Sequence, residues 1–277
     1  MILDGKKVRD ELLEKIRNEI AQRNLNLTLA IILVGSYEPS EVYVRNKIKA
    51  CEKVGIHTKL IRLLESTEEE VINVIKNLNE DKSITGIILQ SPVPDNINIE
   101  NCIRVIDPKK DVDGFTKENF YGLGHGMECL HPCTSKGIIY LLKYYNIPLE
   151  GKKVCLIGRG NLVGRPLIFE MLKENATVTI CHRKTKDLKS ITLNSDIIVC
   201  GCGSPKLLTK DMVSSGAVVV DAGITIENGK IIGDADFDNL IDKCSYITPN
   251  PGGVGPMTIA MILQNILEAY NGGSVNG

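Results

Sequence analysis

Short apolar runs that alternate with helix-period segments constrain this chain more than any other feature. Residues 29–34 and 86–89 are apolar without interruption and stop at Gly35 and Gln90, and residues 58–64 form another run of strand length. An unbroken apolar run of this size suits a strand covered on both faces. Between these runs, residues 43–54 repeat at helical spacing and stop at Gly55, and residues 67–78 form a helix with acids in its first turn. The same alternation resumes at 153–157 and continues through 178–181, 197–200 and 218–221. It predicts parallel sheets covered by helices. An opening helix carries Val8, Leu12, Leu13, Ile16 and Ile20 at helical spacing with Asp4 as its cap, and further helices span 136–145 and 257–270. A turn at Asn228 and Gly229 starts a small β excursion to Ile232.

At 277 residues the chain exceeds what one core usually serves, so two domains are expected. Residues 107–134, rich in Gly, Pro, Asp and Asn and weakly periodic, are the expected junction. A formal net charge of -1 gives no basic field to attract nucleic acid or an anionic membrane, so any anion site must be local. No apolar run reaches membrane-spanning length and no leader-like segment is visible, so a cytoplasmic protein is expected. The odd count of nine cysteines fits that expectation, with Cys155, Cys181, Cys200 and Cys202 read as buried thiols. Cys129, His131 and Cys133 lie close together but lack paired C-x-x-C spacing, so a loop rather than a metal site is expected there.

Residues 154–157 run directly into Gly158-Arg159-Gly160-Asn161-Leu162-Val163-Gly164-Arg165-Pro166. A glycine turn between a strand and a helix lets backbone N–H groups approach a pyrophosphate, although the last glycine comes one residue later than in G-x-G-x-x-G. The next run ends in His182-Arg183-Lys184. An NAD site usually has a carboxylate there for the ribose hydroxyls. A basic tip, with Arg159 in the turn, suits a 2′-phosphate and therefore NADP; the alternative is a solvated basic loop.

Tyr43 and Lys47 lie one helical turn apart, a spacing at which a phenol and an ammonium can polarise a substrate and relay a proton. Short-chain dehydrogenases share that spacing, but in them the glycine turn precedes the pair, whereas here it follows. Gln90-Ser91-Pro92-Val93-Pro94 follows a strand end, where ligands collect in parallel sheets. Asp111-Val112-Asp113-Gly114-Phe115 is a turn with two carboxylates, suited either to substrate binding or to holding its own backbone. Pro251-Gly252-Gly253-Val254-Gly255-Pro256-Met257-Thr258 specifies a rigid, unusual backbone ahead of the last helix.

In this order, residues 43–47, 90–94, 110–115, 132–134, 158–166 and 251–258 resemble the bifunctional methylenetetrahydrofolate dehydrogenase/methenyltetrahydrofolate cyclohydrolase family over nearly the whole chain. The resemblance implies two α/β domains with a cleft between them. A folate-binding catalytic domain would span 1–120, with helix 257–277 packing back on it, and a Rossmann-like NADP-binding domain would span 121–256. It implies oxidation of 5,10-methylene-tetrahydrofolate by NADP, then hydrolysis of the methenyl cation to 10-formyl-tetrahydrofolate. The one-carbon units would serve purine, histidine and methionine biosynthesis, and the protein would be a homodimer.

By the same resemblance Lys47 activates water and moves a proton, Tyr43 stacks on the folate, and Gln90 holds Lys47. One of Asp111 and Asp113 binds the pterin, and Pro251, Gly252, Gly253, Val254, Gly255 and Pro256 line the folate. Gly158, Arg159, Gly160, Arg183 and Ile224 contact NADP. A cationic methenyl substrate would favour the neutral amine of Lys47 by like-charge repulsion, and so let it accept a proton. The chain departs from the family's usual Leu at Ser91, Ser at Gly160 and Val at Asn250. Two alternatives stay open: a dehydrogenase without hydrolase activity, and a non-catalytic NADP-binding sensor.

Overall fold

The computed structural model describes residues 1–227 and 229–272. The chain divides into two compact units, one of residues 11–133 and 259–277, the other of 1–10 and 134–258. Helix α1 (Gly5–Arg23) starts in the second unit and continues into the first. Asp4 caps it, its carboxylate accepting the N–H groups of Lys6 and Lys7 at 3.0 and 3.1 Å.

In the first unit, β1 (Thr28–Val34), α2 (Glu38–Val54), β2 (His57–Leu63), α3 (Glu68–Glu80) and β3 (Gly86–Leu89) form a parallel sheet in the order β2-β1-β3. Helix α2 begins five residues before Tyr43 because Pro39 sits in its first turn, a position that needs no N–H donor. Thr67 closes a capping box with Glu70 at the start of α3. Central β1 is buried from Leu29 onward, with Ala30, Ile32 and Val34 packing against Val71, Ile75 and Leu78 of α3. Edge strand β2 carries Lys59 and Arg62, which pair with Asp81 and Glu41. Such charges guard an otherwise open edge.

The expected junction holds more order than its composition suggested. After α4 (Ile99–Ile103) comes α5 (Lys117–Gly124), inside the stretch read as weakly periodic. Two glycines in its last three residues and a single helical turn of apolar side chains hid it.

In the second unit, α6 (Cys133–Tyr144), β4 (Lys153–Ile157), α7 (Gly164–Lys173), β5 (Thr177–Cys181), α8 (Leu188–Leu193), β6 (Ile197–Cys200) and β7 (Val218–Asp221) follow in turn. A separate antiparallel ribbon, β8 (Thr225–Glu227) with β9 (Lys230–Ile232), precedes α9 (Phe237–Leu240) and β10 (Tyr246–Ile247), and α10 (Val254–Tyr270) starts in this unit and continues into the first from Ile259. Asn228, assigned to the turn of that ribbon, and residues 273–277 of the expected closing helix lie outside the described residues. The main sheet is parallel in the order β10-β7-β6-β4-β5. Chain residues 1–3 extend its β10 edge, Leu3 N–H donating to Ile247 O and Ile247 N–H to Met1 O. Cys155, Cys181 and Cys200 are fully buried, as expected; Cys202 is exposed, because β6 ends at Cys200 and the chain turns outward at Gly201.

Candidate active site

Each sheet reverses its strand order beside a central strand, and ligands in such sheets gather beyond the carboxyl ends at that point. In the first unit this point lies between β1 and β3, next to Gln90. Ser40, Val44, Lys47, Cys51 and Val54 form the buried stripe of α2. Lys47 is the one cation in that stripe, only 8% exposed. Its Nζ donates to Gln90 Oε1 at 2.9 Å, while Gln90 Nε2 donates to Ser91 O at 2.6 Å. The amide is thereby oriented with its oxygen on the lysine, and Ser40 Oγ reinforces the same carbonyl of Ser91 at 3.3 Å. Cys51, one turn beyond, is pushed up to about 12 by burial, so it remains a thiol. Tyr43 is 41% exposed, one turn before Lys47 on the open flank of the buried stripe.

The two aspartates of the following turn have different environments. Asp111 is buried and its carboxylate accepts Gly114 N–H at 2.9 Å, Thr116 N–H at 2.6 Å and Asn119 Nδ2 at 3.0 Å. Its oxygens hold the backbone of the turn, the structural role that the sequence left open beside substrate binding. Asp113 is partly exposed. Burial raises its carboxyl above the usual range, the Lys47 charge acts in the opposite direction, and Asp111 adds to the rise. Asn265 of α10, unforeseen from the sequence, pins the turn by donating to Val112 O and His131 O at 2.9 Å each. An asparagine amid the apolar run of α10 was the available signal, but spacing alone does not reveal its partners.

In the second unit the reversal lies between β4 and β6, where Gly158 follows β4. Gly158 has φ of 122°, and an added Cβ would come 2.4 Å from Gly201 O. Gly164 has the same character, since its Cβ would come 2.4 Å from Gly158 O. These two glycines let three backbone segments meet. Gly160 instead faces open space. Arg159 and Arg183 are exposed, as is Ile224, and the tip after β5 carries no carboxylate. That tip is ordered locally by His182 N–H donating to Thr185 Oγ1 at 2.8 Å. The turn, its close approach and the basic tip fit a dinucleotide with an extra phosphate.

The Pro251 segment is rigid for comparable reasons. Gly252 has φ of 117°, Gly253 N–H donates to Pro249 O at 2.8 Å, and Lys6 N–H donates to Gly252 O at 3.2 Å. Pro251 and Gly255 are exposed, whereas Gly252, Gly253 and Val254 are buried. Among the described residues no group of three or more His, Cys, Asp or Glu is placed to hold a metal.

Residues 3–113 match the model of the tetrahydrofolate dehydrogenase/cyclohydrolase catalytic domain, and residues 132–273 match that of the family's NAD(P)-binding domain. A bifunctional protein FolD of Lachnoclostridium phytofermentans is 48% identical over 270 residues, covering 96% of each chain. The solved FolD methylenetetrahydrofolate dehydrogenase/cyclohydrolase of Campylobacter jejuni superposes with a TM-score of 0.95 at 43% identity, covering 98% of this chain and 99% of that one. The Trypanosoma brucei dehydrogenase-cyclohydrolase, solved with NADP cofactor and an inhibitor, gives 0.93 at 31% identity, covering 98% and 97%. With both domain models matched in order and relatives similar from end to end, the chain belongs to the tetrahydrofolate dehydrogenase/cyclohydrolase family.

Proposed function

We propose that this protein oxidises 5,10-methylene-tetrahydrofolate to the methenyl cation with NADP and then hydrolyses that cation to 10-formyl-tetrahydrofolate. The observation that carries the reading is the buried Lys47–Gln90 pair, 2.9 Å apart, at the strand-order reversal of the first sheet. A lysine held there by an amide oxygen can receive a proton from attacking water without a competing carboxylate locked onto its nitrogen. Gln90 is a positioning residue, Tyr43 offers its exposed ring for stacking on the pterin, and Asp113 is the turn carboxyl left to bind it. The rigid Pro251–Pro256 backbone offers N–H groups for ligand contact.

NADP supplies the hydride acceptor when bound. Gly158 and Gly160 bring the backbone against its phosphates, Arg159 and Arg183 supply cations for the 2′-phosphate, and exposed Ile224 covers an apolar portion of the cofactor. The protein works as a homodimer in the cytoplasm, without nucleic-acid or membrane partners, supplying one-carbon units to purine, histidine and methionine biosynthesis.

The test mixes protein, methylene-tetrahydrofolate and either NADP or NAD, following methenyl absorbance as it rises and then decays. Formation with NADP and enzyme-dependent decay is the expected result. Formation without accelerated decay would reduce the protein to a dehydrogenase, NADP binding without formation would leave a sensor, and a strong NAD preference would refute the roles given to Arg159 and Arg183.

A further inference from the structure

Beneath the candidate cofactor loops lie two buried aspartates that the proposed chemistry does not use. Asp234, after β9, is fully buried, and Asp221, the last residue of β7, is 3% exposed. Asp234 accepts three successive backbone N–H groups: Cys202 and Gly203 on one oxygen at 2.7 and 3.1 Å, and Ser204 on the other at 2.7 Å. Asp221 accepts the N–H groups of Gly223 at 2.9 Å, Asp234 at 3.0 Å and Ala235 at 2.9 Å. Two carboxylates thus gather six amides from three loops, and charge-assisted bonds of this kind are the strong ones. The packing leaves no slack. A Cβ on Gly223 would come 2.2 Å from the Asp234 carboxyl carbon, and one on Gly233 would come 1.9 Å from Asp221 Oδ2.

The loops so gathered border the dinucleotide turn. The Gly201 carbonyl and Cys202 N–H are the groups against which Gly158 packs, and Gly223 precedes Ile224. Loop 201–204 contains two glycines, one of them with φ of 66°, and has no regular structure. Such a segment is otherwise floppy, and ordering it would be charged against ligand binding. Asn250, where the family's usual residue is Val, adds a further tie by donating to Gly223 O at 2.5 Å.

We propose that Asp234, acting with Asp221, is a positioning residue for the cofactor: it fixes residues 202–204 and the Gly223–Ile224 turn in the cofactor-free protein, so that NADP meets a preformed surface. This rests on the reading of the second unit as the NADP domain. It predicts a split between binding and chemistry that general destabilisation would not give. In D234N, a near-isosteric change that swaps one acceptor oxygen for a donor, the equilibrium Kd for NADP rises at least tenfold. The dehydrogenase kcat at saturating NADP stays within about threefold and methenyl hydrolysis within about twofold. The milder N250V raises the NADP Kd by about twofold to fivefold.

Amide hydrogen exchange on the unaltered, NADP-free protein supplies a check that does not depend on any variant folding. Cys202, Gly203 and Ser204 should exchange at least a hundredfold slower than unfolded amides. Exchange within tenfold of the unfolded rate would overturn the proposal, as would a D234N protein with native NADP affinity. An unaltered protein that binds no NADP would instead overturn the reading of the unit itself, and the proposal with it.

Discussion

The two parallel sheets present their candidate sites at the same topological point but build them from different materials. At the reversal of the three-stranded sheet the candidate site is made of side chains: a lysine in a buried helical stripe, a glutamine at a strand end and the Asp113 carboxyl on a pinned turn. At the reversal of the five-stranded sheet the surface is mostly backbone, brought close by Gly158 and Gly164 and held from below by Asp221 and Asp234. The difference follows from the tasks. Moving a proton needs a titratable atom at one spot, whereas binding phosphates needs many N–H groups with no side chain in the way. The first region should therefore be sensitive to side-chain chemistry and the second to added volume.

The largest effect expected is that of Lys47→Met. Removing the proposed proton carrier should lower methenyl hydrolysis by about 10²–10⁴-fold, the usual worth of a general acid–base group. NADP binding, measured by titration, should be unchanged; intact hydrolysis would break the comparison at its side-chain end. Next comes Gly158→Ala. Its new methyl would strike Gly201 O in a backbone conformation that alanine resists, costing about 1–3 kcal/mol in a denaturant titration. The NADP Kd should rise at least tenfold while hydrolysis persists, and native affinity would show that the turn has room for a side chain.

A smaller effect concerns pH. Burial holds the Asp113 carboxyl above its ordinary value, so the folded protein keeps that proton to higher pH than the unfolded chain does. This contribution is most favourable below the unfolded value of about 4 and is lost as pH rises through the folded one. Asp113→Asn should flatten that part of the stability profile, as read from thermal melts between pH 4 and 7. An unchanged slope would mean that the group titrates normally.

The smallest effect is expected of Gly160→Ser. The position faces open space without a left-handed φ, so the change should stabilise the fold by about 0.4–1 kcal/mol. It restores the hydroxyl usual in the family, and one further hydrogen bond should tighten NADP by about threefold to tenfold. Weaker binding would show that the glycine serves the phosphate approach directly.

Much of this arrangement was legible in the sequence. Uninterrupted apolar runs announced β1, β3, β4, β6 and β7, because a strand covered on both faces has no polar side to show. The Gly158 turn was legible because glycine is required where backbones touch, and the Tyr43/Lys47 spacing because helix geometry is local. Helices α4, α5, α8 and α9 and strand β10 were missed, since such short elements carry little period.

What the sequence determined by itself was therefore the longer local elements, the residue types at the two strand-order reversals and, through an ordered set of motifs, the family. Only the tertiary structure decided which of two neighbouring aspartates is free, because Asp111 is consumed by amides up to five residues away and by Asn119. It alone tied residues 202–204 to Asp234 and residues 1–3 to β10. Hydrogen-bond partners distant in the chain leave no periodic trace. A buried carboxylate's role is set by the donors that folding brings to it, and those are a property of packing rather than of spacing.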